Sequence, residues 1–298
     1  MDTLLWGLGG GLLAVWGAGA VWRARRRAEA ERAVAHSLLA CRALLVLVAA
    51  FQQHRGMSSA LLSGDGSFGG PLARKAREID NVLPELKSVA EAESDAPHPC
   101  LTVNDLALFG HRWGRLRETL SSLSVEQSIA QHSALIAQLL QWLAALGEAR
   151  VEPLFDERSA RDVVRNYVSR LPALTECLGQ ARALGLSVAA RGGCSAVARV
   201  RLMFLVARAE NLLAQASNGV SRGRCADEAE AAVQAMAQMV KTRLLARAAV
   251  GVSVQEVFEV ASRAVDGVFA WANETGDQLT QARQSSPGNG AATTAWAA

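Results

Sequence analysis

Apolar residues recur at the spacing of an α-helix through almost the whole chain, from about residue 28 to about residue 281. The residues that dominate this stretch, above all Ala and Leu, are good helix formers, and β-branched residues are fewer. Half of the 298 residues are hydrophobic and only 20% are charged, so the chain can bury a substantial core. The pattern therefore predicts an all-α fold.

The N-terminal stretch from Leu4 to Trp22 contains no charged residue. Its 19 residues are close to the roughly 20 that a helix needs to cross a hydrocarbon core, and Trp6 and Trp22 lie near its two ends, where interfacial aromatics are common. We therefore expect a single N-terminal transmembrane helix, with residues 1–27 forming an anchor and its basic flank. The alternative is an apolar helix that packs against a soluble domain.

The charges around this stretch predict its orientation. Arg23, Arg25, Arg26 and Arg27 follow it directly, whereas no basic side chain precedes it. By the positive-inside rule the bulk of the chain should lie in the cytoplasm. A cleaved signal peptide would carry its positive charges on the other side of the apolar run.

Turn-forming and capping residues divide the remainder into helices. Breaks are predicted at the Gly-rich segment 63–70, at the loop 94–99, near residues 151–158 and at the polar turn 217–223. Pro84 should kink the second helix, and Ser124 with Gln127 forms a capping box that should begin the fourth. The predicted helices are 28–51, 71–92, 101–123, 124–150, 156–186 (capped by Asp156 or Ser159), 199–215, 226–248 and 254–283. Pro172 should bend the helix 156–186, unless it marks the start of a separate helix. The segment 284–298 lacks periodicity and should be a disordered tail.

No pattern in the chain indicates catalysis. A phosphate-binding loop, a nucleophile elbow, a run of metal ligands and a pair of catalytic carboxylates are all missing from the sequence, so we expect no enzyme, metal or cofactor. The five histidines and five cysteines are scattered, and the cysteines are best interpreted as small hydrophobic residues in a reducing compartment. The formal net charge of +3 gives no indication of a nucleic-acid partner, and we expect none.

Three short motifs occur in order along the predicted helices. They are Gln52-Gln53-His54-Arg55-Gly56, Gln131-His132-Ser133-Ala134-Leu135-Ile136, and the stretch 171–185 with Leu-Pro-Ala-Leu-Thr-Glu followed by Leu-Gly-Gln-Ala-Arg. Together they resemble the nitrate- and nitrite-sensing (NIT) domains of bacterial sensors. The first motif departs from the family pattern, because His54 stands where the family commonly has Glu. The resemblance implies a pair of up-down four-helix bundles over residues 28–283, which agrees with the eight predicted helices.

The resemblance also implies an anion site made of arginines. Arg55 and Arg182 correspond to each other, since each lies close to Gly and small residues, and a third arginine is expected from a late helix, for which Arg243 is our choice. Nitrate is a small planar anion with three acceptor oxygens, and a guanidinium can donate two parallel hydrogen bonds to it. A buried guanidinium without a partner would be costly, so an anion would also balance its charge.

Two functions follow as hypotheses. The first is a bacterial inner-membrane sensor that binds nitrate or nitrite and signals through an unidentified partner protein or through a homodimer. It predicts that Arg55 and Arg182 point into one pocket between helices without a carboxylate partner. The second is a membrane-tethered helical scaffold or assembly protein without a small-molecule ligand, in which these arginines are exposed or form salt bridges.

Overall fold

The computed structural model describes residues 35–155, 157–218, 223–245 and 251–285, and these residues contain ten α-helices without any β-strand. The helices are α1 (Ala35–Leu62), α2 (Gly69–Val82), α3 (Glu85–Ser94), α4 (Val103–Thr119), α5 (Val125–Leu146), α6 (Arg158–Arg165), α7 (Leu171–Ala190), α8 (Ala196–Ser217), α9 (Arg224–Met239) and α10 (Val254–Ser285). The predicted all-α class is confirmed. The predicted membrane segment from Leu4 to Trp22 lies outside the described residues, as does the predicted tail beyond Ser285.

The helices form two up-down four-helix bundles, as expected. The first consists of α1, the bent pair α2–α3, α4 and α5, and Pro84 stands between α2 and α3 as the predicted kink. The second consists of the long arm α6–α7 and of α8, α9 and α10, in which α7 packs on α8 and α10 while α9 packs on the same two helices. A 3₁₀ turn at Glu152–Leu154 connects the bundles.

Side-chain caps determine where several helices begin. Ser124 and Gln127 form the predicted capping box at the start of α5, and Thr102 with Asp105 forms a second box at α4. These reciprocal bonds satisfy backbone N–H groups that have no partner inside the helix. The predicted cap Ser159 is wrong, because α6 already begins at Arg158 and Ser159 is its second residue.

Each bundle contains a wide π-helical turn at the point where the two bundles meet. One, Gly147–Val151, ends α5, and the other, Asn166–Arg170, joins α6 to α7. Pro172 follows the second turn directly, at the start of α7. Because the ring of a proline has no N–H and clashes with the preceding helical turn, a local widening lets the long arm continue past it.

Helix α1 belongs to the first bundle and also packs against the second. The candidate site forms at this contact. Its Phe51 ring packs edge-on against Trp113 of α4 at a centroid distance of 4.9 Å, whereas Arg42 reaches Asp277 of α10 at 3.5 Å. Helices α1 and α5 are long and apolar enough to cross a membrane by composition. Both contribute many buried apolar residues to the shared core, while Leu39 and Val46 of α1 are exposed. The inner face of α1 therefore presents Gln52, His54 and Arg55, all buried, to the helices around it.

Candidate functional site

Arg55 is buried where α1, α5 and α7 meet, with 3% of its surface exposed. Its guanidinium forms a two-pronged salt bridge with Glu176 of α7, with Nη1–Oε1 at 2.6 Å and Nη2–Oε2 at 3.0 Å. Nη1 also donates to Ser133 Oγ of α5 at 2.8 Å. The expectation that Arg55 has no carboxylate partner is therefore wrong. The arginine instead ties helices of both bundles to one carboxylate.

The Glu176 carboxylate accepts four hydrogen bonds. Besides the two from Arg55, Gln52 Nε2 donates to Oε2 at 3.0 Å and Gln180 Nε2 donates to Oε1 at 2.8 Å. Gln52 Nε2 lies 3.4 Å from Thr175 Oγ1, which fixes the orientation of the Gln52 amide. Its carbonyl oxygen, Oε1, is then buried without a donor among the described residues. Glu176 thus compensates the charge of Arg55, while Gln52 keeps one acceptor unsatisfied beside it.

Gly179 leaves room for the Arg55 guanidinium against α7. A Cβ at this position would lie 3.1 Å from Arg55 Nη2 and 3.8 Å from Gln52 Oε1, which is tighter than an ordinary contact on the arginine side. A glycine inside a helix lowers stability by about 1 kcal/mol relative to alanine. The close approach of the guanidinium gives a physical reason for glycine here.

Arg182 lies one turn beyond Gly179 on α7 and is half-buried. Its Nη1 donates to Ser262 Oγ of α10 at 3.2 Å, and the guanidinium carbon lies 6.0 Å from the centroid of the Phe258 ring. Within the described residues no carboxylate lies within salt-bridge distance of it. Burial lowers the pKa of Arg182 below its usual value; Asp266 opposes this shift, and the positive charge of Arg55 adds to it. Arg182 is therefore a half-buried guanidinium without a direct salt bridge among the described residues, whose charge Asp266 favours and Arg55 disfavours.

Arg243 is not brought to this pair. It lies in the π-helical turn Val240–Leu244 at the end of α9, about half-exposed. Its guanidinium forms a salt bridge with Glu256 and donates to the carbonyl oxygen of Gly251 at 2.6 Å. These partners belong to the start of α10 and the loop before it, so Arg243 shares no contact with Arg55 or Arg182.

A buried pair of histidines lies beside the arginine site. His54 and His132 neighbour Arg55 and Ser133 in the sequence, and His54 Nδ1 is 2.8 Å from His132 Nε2, so a hydrogen bond joins the two rings between α1 and α5. The remaining nitrogen of His132 bonds to the carbonyl oxygen of Ser128 at 2.7 Å. The sequence alone did not predict this pair, because 78 residues separate the two histidines and their spacing forms no known motif.

Burial keeps both histidines neutral. Desolvation, then the neighbouring His132 and Arg117, lower the pKa of His54 to about 3. For His132, desolvation lowers the pKa to about 4, with the Ser128 carbonyl opposing and the charge of Arg55 assisting the shift. Both values lie below the 6.5 of an ordinary histidine, so protonation favours the unfolded chain.

The histidine pair predicts that the protein becomes less stable as the pH is lowered below 7. Between pH 7 and pH 5.5 the unfolded chain binds protons at both histidines and the folded chain does not, so the free energy of unfolding should fall by roughly 2 kcal/mol. Urea unfolding at a series of pH values measures this slope. His54→Asn should make the slope shallower, whereas His111→Gln, a change at an exposed histidine, should leave it unchanged. A slope unaffected by His54→Asn would contradict the neutral buried pair.

Comparisons with known proteins identify the family of this domain. The profile of the family described as nitrate and nitrite sensing (NIT) matches residues 46–283. This chain belongs to the NIT family. Its fold is similar to that in a solved structure titled as the NasR transcription antiterminator, with a TM-score of 0.70 and 19% sequence identity over 90% of this chain and 75% of that chain. No curated protein matches the chain. At this level of identity, the similarity to NasR establishes the fold alone.

The NIT motif contained one further site residue that sequence analysis did not use. Glu176 is the last residue of the Leu-Pro-Ala-Leu-Thr-Glu stretch, which was noted for its resemblance to the family only. A carboxylate on the inner face of α7, three residues before Gly179, is a natural counter-ion for a buried arginine. Its partner could not be read from the sequence, because Arg55 lies 121 residues away.

Proposed function

We propose that this NIT domain binds nitrate or nitrite between α1, α5 and α7, at Arg55 and Arg182, and acts as a sensor rather than an enzyme. The observation that carries the proposal is Arg182, a half-buried guanidinium that donates to Ser262 and has no carboxylate within salt-bridge distance among the described residues. It lies three residues beyond Gly179, against which the Arg55 guanidinium packs, so the two positive charges oppose each other. A small anion placed between the two guanidiniums would relieve this repulsion. The family description supports nitrate and nitrite as the anions.

Competition between the anion and Glu176 would convert binding into a signal. A carboxylate and a nitrate ion present similar planar pairs of oxygens to a guanidinium, so an anion that engages Arg55 weakens its bond to Glu176. Glu176 is also held by Gln52 of α1 and Gln180 of α7, and Arg55 by Ser133 of α5. A change at Arg55 would therefore alter the packing of three helices from both bundles.

Membrane anchoring and the route of the signal complete the proposal. The uncharged stretch 4–22 with its basic flank would hold the domain at the inner membrane, with the bundles in the cytoplasm. The altered helix packing would be transmitted to a partner protein or across a homodimer. We expect no nucleic acid among the partners.

The salt bridge between Arg55 and Glu176 also favours the second function, a scaffold without a ligand, because that hypothesis predicts paired arginines. In such a scaffold, the buried ion pair between Arg55 and Glu176 would only hold the two bundles together. The two functions differ in the role of Arg182, since a scaffold does not require a half-buried guanidinium without a direct salt bridge at this position. Ligand binding therefore decides between them.

Thermal unfolding of the full chain with nitrate, nitrite, chloride or sulfate tests the sensor. We expect a selective rise of the melting temperature with nitrate or nitrite, because a ligand that binds only the folded state adds about 2.7 kcal/mol at a hundred times its Kd. Arg182→Gln should abolish the rise with little effect on stability without anion. Arg191→Gln, at an exposed arginine just beyond α7, is the matched control. Arg243→Gln is expected to behave like that control, and the result tests whether Arg243 belongs to the site.

The variant Glu176→Gln tests whether Glu176 competes with the anion for Arg55 or helps to hold the anion. The amide cannot compensate Arg55, so the affinity for nitrate should rise about tenfold, which corresponds to roughly 1.4 kcal/mol. A lower affinity would mean that Glu176 supports the anion site instead of competing for it. If no anion raises the melting temperature selectively, the scaffold is the correct function.

A further inference from the structure

The outward face of α1 carries a continuous stripe at coiled-coil spacing. Its positions are separated alternately by three and four residues, and two of them, Leu39 and Val46, are large hydrophobic side chains that are 63% and 46% exposed. The stripe consists of Leu39, Arg42, Val46, Ala49, Gln53 and Gly56. Nearly all other residues of α1 between positions 38 and 55 are buried in the two bundles. Leu39, Val46 and Ala49 are its apolar positions, and a stripe of this spacing is the pattern with which one helix packs along another.

The length of the stripe and the sizes of its side chains suit contact with a second helix. From Leu39 to Gly56 it extends about 26 Å at 1.5 Å per residue. The small residues Ala49 and Gly56 permit close approach of a second backbone, while Leu39 and Val46 supply apolar contacts on successive turns. We propose that this stripe is the contact surface between two copies of the chain, with their α1 helices packed in parallel.

The chain that precedes α1 argues for a second copy as the occupant. Thirty-four residues lead into α1, and they include the uncharged run from Leu4 to Trp22 that is predicted to cross a membrane. Two copies anchored in one membrane in the same orientation begin their α1 helices at the same level and direct them the same way. A parallel pair follows from that geometry, with Leu39 facing Leu39 and Val46 facing Val46 across a two-fold axis.

Charges beside the stripe are self-complementary. Arg42 lies within it and Asp277 of α10 lies next to it, 3.5 Å from Arg42, and both side chains are more than half exposed. In the parallel register Arg42 faces Arg42 across the two-fold axis, and each arginine brings Asp277 of its own copy as a counter-charge, which can also approach the arginine of the other copy. This dimer contact does not depend on the proposed anion site, although Gln52 and Arg55 lie on the opposite face of the same helix.

Disulfide trapping in the full chain tests the arrangement. In a background with Cys100, Cys194 and Cys225 changed to Ser, the remaining Cys41 and Cys177 are buried, and burial raises their pKa values to about 12 and about 11, so both thiols are unreactive. Single variants Leu39→Cys and Val46→Cys are then oxidised and separated on a non-reducing gel. Both should give predominantly covalent dimer, because facing seam positions bring the Cα atoms to within disulfide range, about 7 Å.

A matched control uses a second exposed apolar face, on α8. Val200 on α8 is 66% exposed and has Phe204 one turn beyond it, so Val200→Cys reports collisions or a different interface. It should remain monomeric on the gel. A dimer at Val46→Cys without one at Leu39→Cys would indicate antiparallel helices and overturn the parallel arrangement. Trapping at Val200→Cys alone, or at none of the three positions, would overturn the proposed surface.

Light scattering of the full chain in mild detergent provides a test without cross-linking. Leu39→Glu with Val46→Glu should lower the particle mass from two copies to one, since like charges would face each other across the seam. Val200→Glu should leave the mass at two copies. A mass of two copies for the double variant would contradict the α1 interface and assign dimerisation to another surface.

Discussion

Arg55→Ala is expected to lower the free energy of unfolding by about 3–5 kcal/mol, the largest effect of any single side chain in the site. The change leaves the Glu176 carboxylate buried, with only Gln52 and Gln180 donating to it. Water cannot replace the lost guanidinium easily, because 4% of the Arg55 side chain and 11% of the Glu176 side chain are exposed. Urea unfolding of the full chain, followed by circular dichroism, measures the loss.

Two further variants show whether the unpaired charge causes that loss. Arg55→Met combined with Glu176→Leu should recover most of the stability, because an apolar pair leaves no buried charge. Arg42→Ala removes an arginine of the same helix that is salt-bridged to Asp277 at the surface, and it should change stability by less than about 1 kcal/mol. If Arg55→Ala behaved like Arg42→Ala, the salt bridge would be far weaker than its geometry implies.

The expected loss also determines how ligand experiments are interpreted. A variant at Arg55 that fails to respond to nitrate could have lost either the site or the packing of α1 against α7. Arg182 makes one hydrogen bond to Ser262 and lacks a salt bridge in the described part of the chain, so its replacement leaves no buried carboxylate behind. Arg182→Gln is therefore the variant that tests anion binding separately from folding.

Most of the fold could be predicted from the sequence because it depends on local interactions. Apolar residues at helical spacing indicated eight helical segments, the capping box at Ser124 began α5 and Pro84 bent the second helix, as expected. Each of these features involves residues fewer than five positions apart. The start of α6 was less well predicted, because Glu157 precedes the helix without a side-chain cap.

The candidate site was predicted less completely because its chemistry depends on contacts distant in sequence. The resemblance to the family selected Arg55 and Arg182, of which the structure buries Arg55 and half-buries Arg182. It could not show that Glu176 pairs with Arg55 across 121 residues, or that His54 finds His132 across 78. Both contacts require the docking of one helix on another, which periodicity on a single helix does not determine.

The junction between the bundles is also governed by tertiary contact. Gly147, in the π-helical turn that ends α5, faces Val168 in the turn between α6 and α7. A Cβ at position 147 would lie 2.3 and 2.5 Å from the two methyl carbons of Val168 and 2.5 Å from its Cβ. Real Cβ atoms do not approach other carbon atoms this closely. Relief cannot come from a side-chain rotation alone, because the Val168 Cβ is attached directly to the backbone.

Gly147→Ala should therefore destabilise the protein by about 3 kcal/mol, at the upper end of the usual effect of overpacking. Gly114→Ala is the matched control: this glycine also lies in a helix, but a Cβ there would meet nothing within 4 Å. That control should be neutral or stabilising by up to about 1 kcal/mol, because alanine favours helix. The midpoints of urea unfolding give both values.

Val168→Ala should rescue Gly147→Ala only in part, since the clash with the Val168 Cβ persists, and full rescue would locate the contact at the methyl groups alone. If Gly147→Ala were neutral, the two π-helical turns would be further apart than the contact between Gly147 and Val168 indicates.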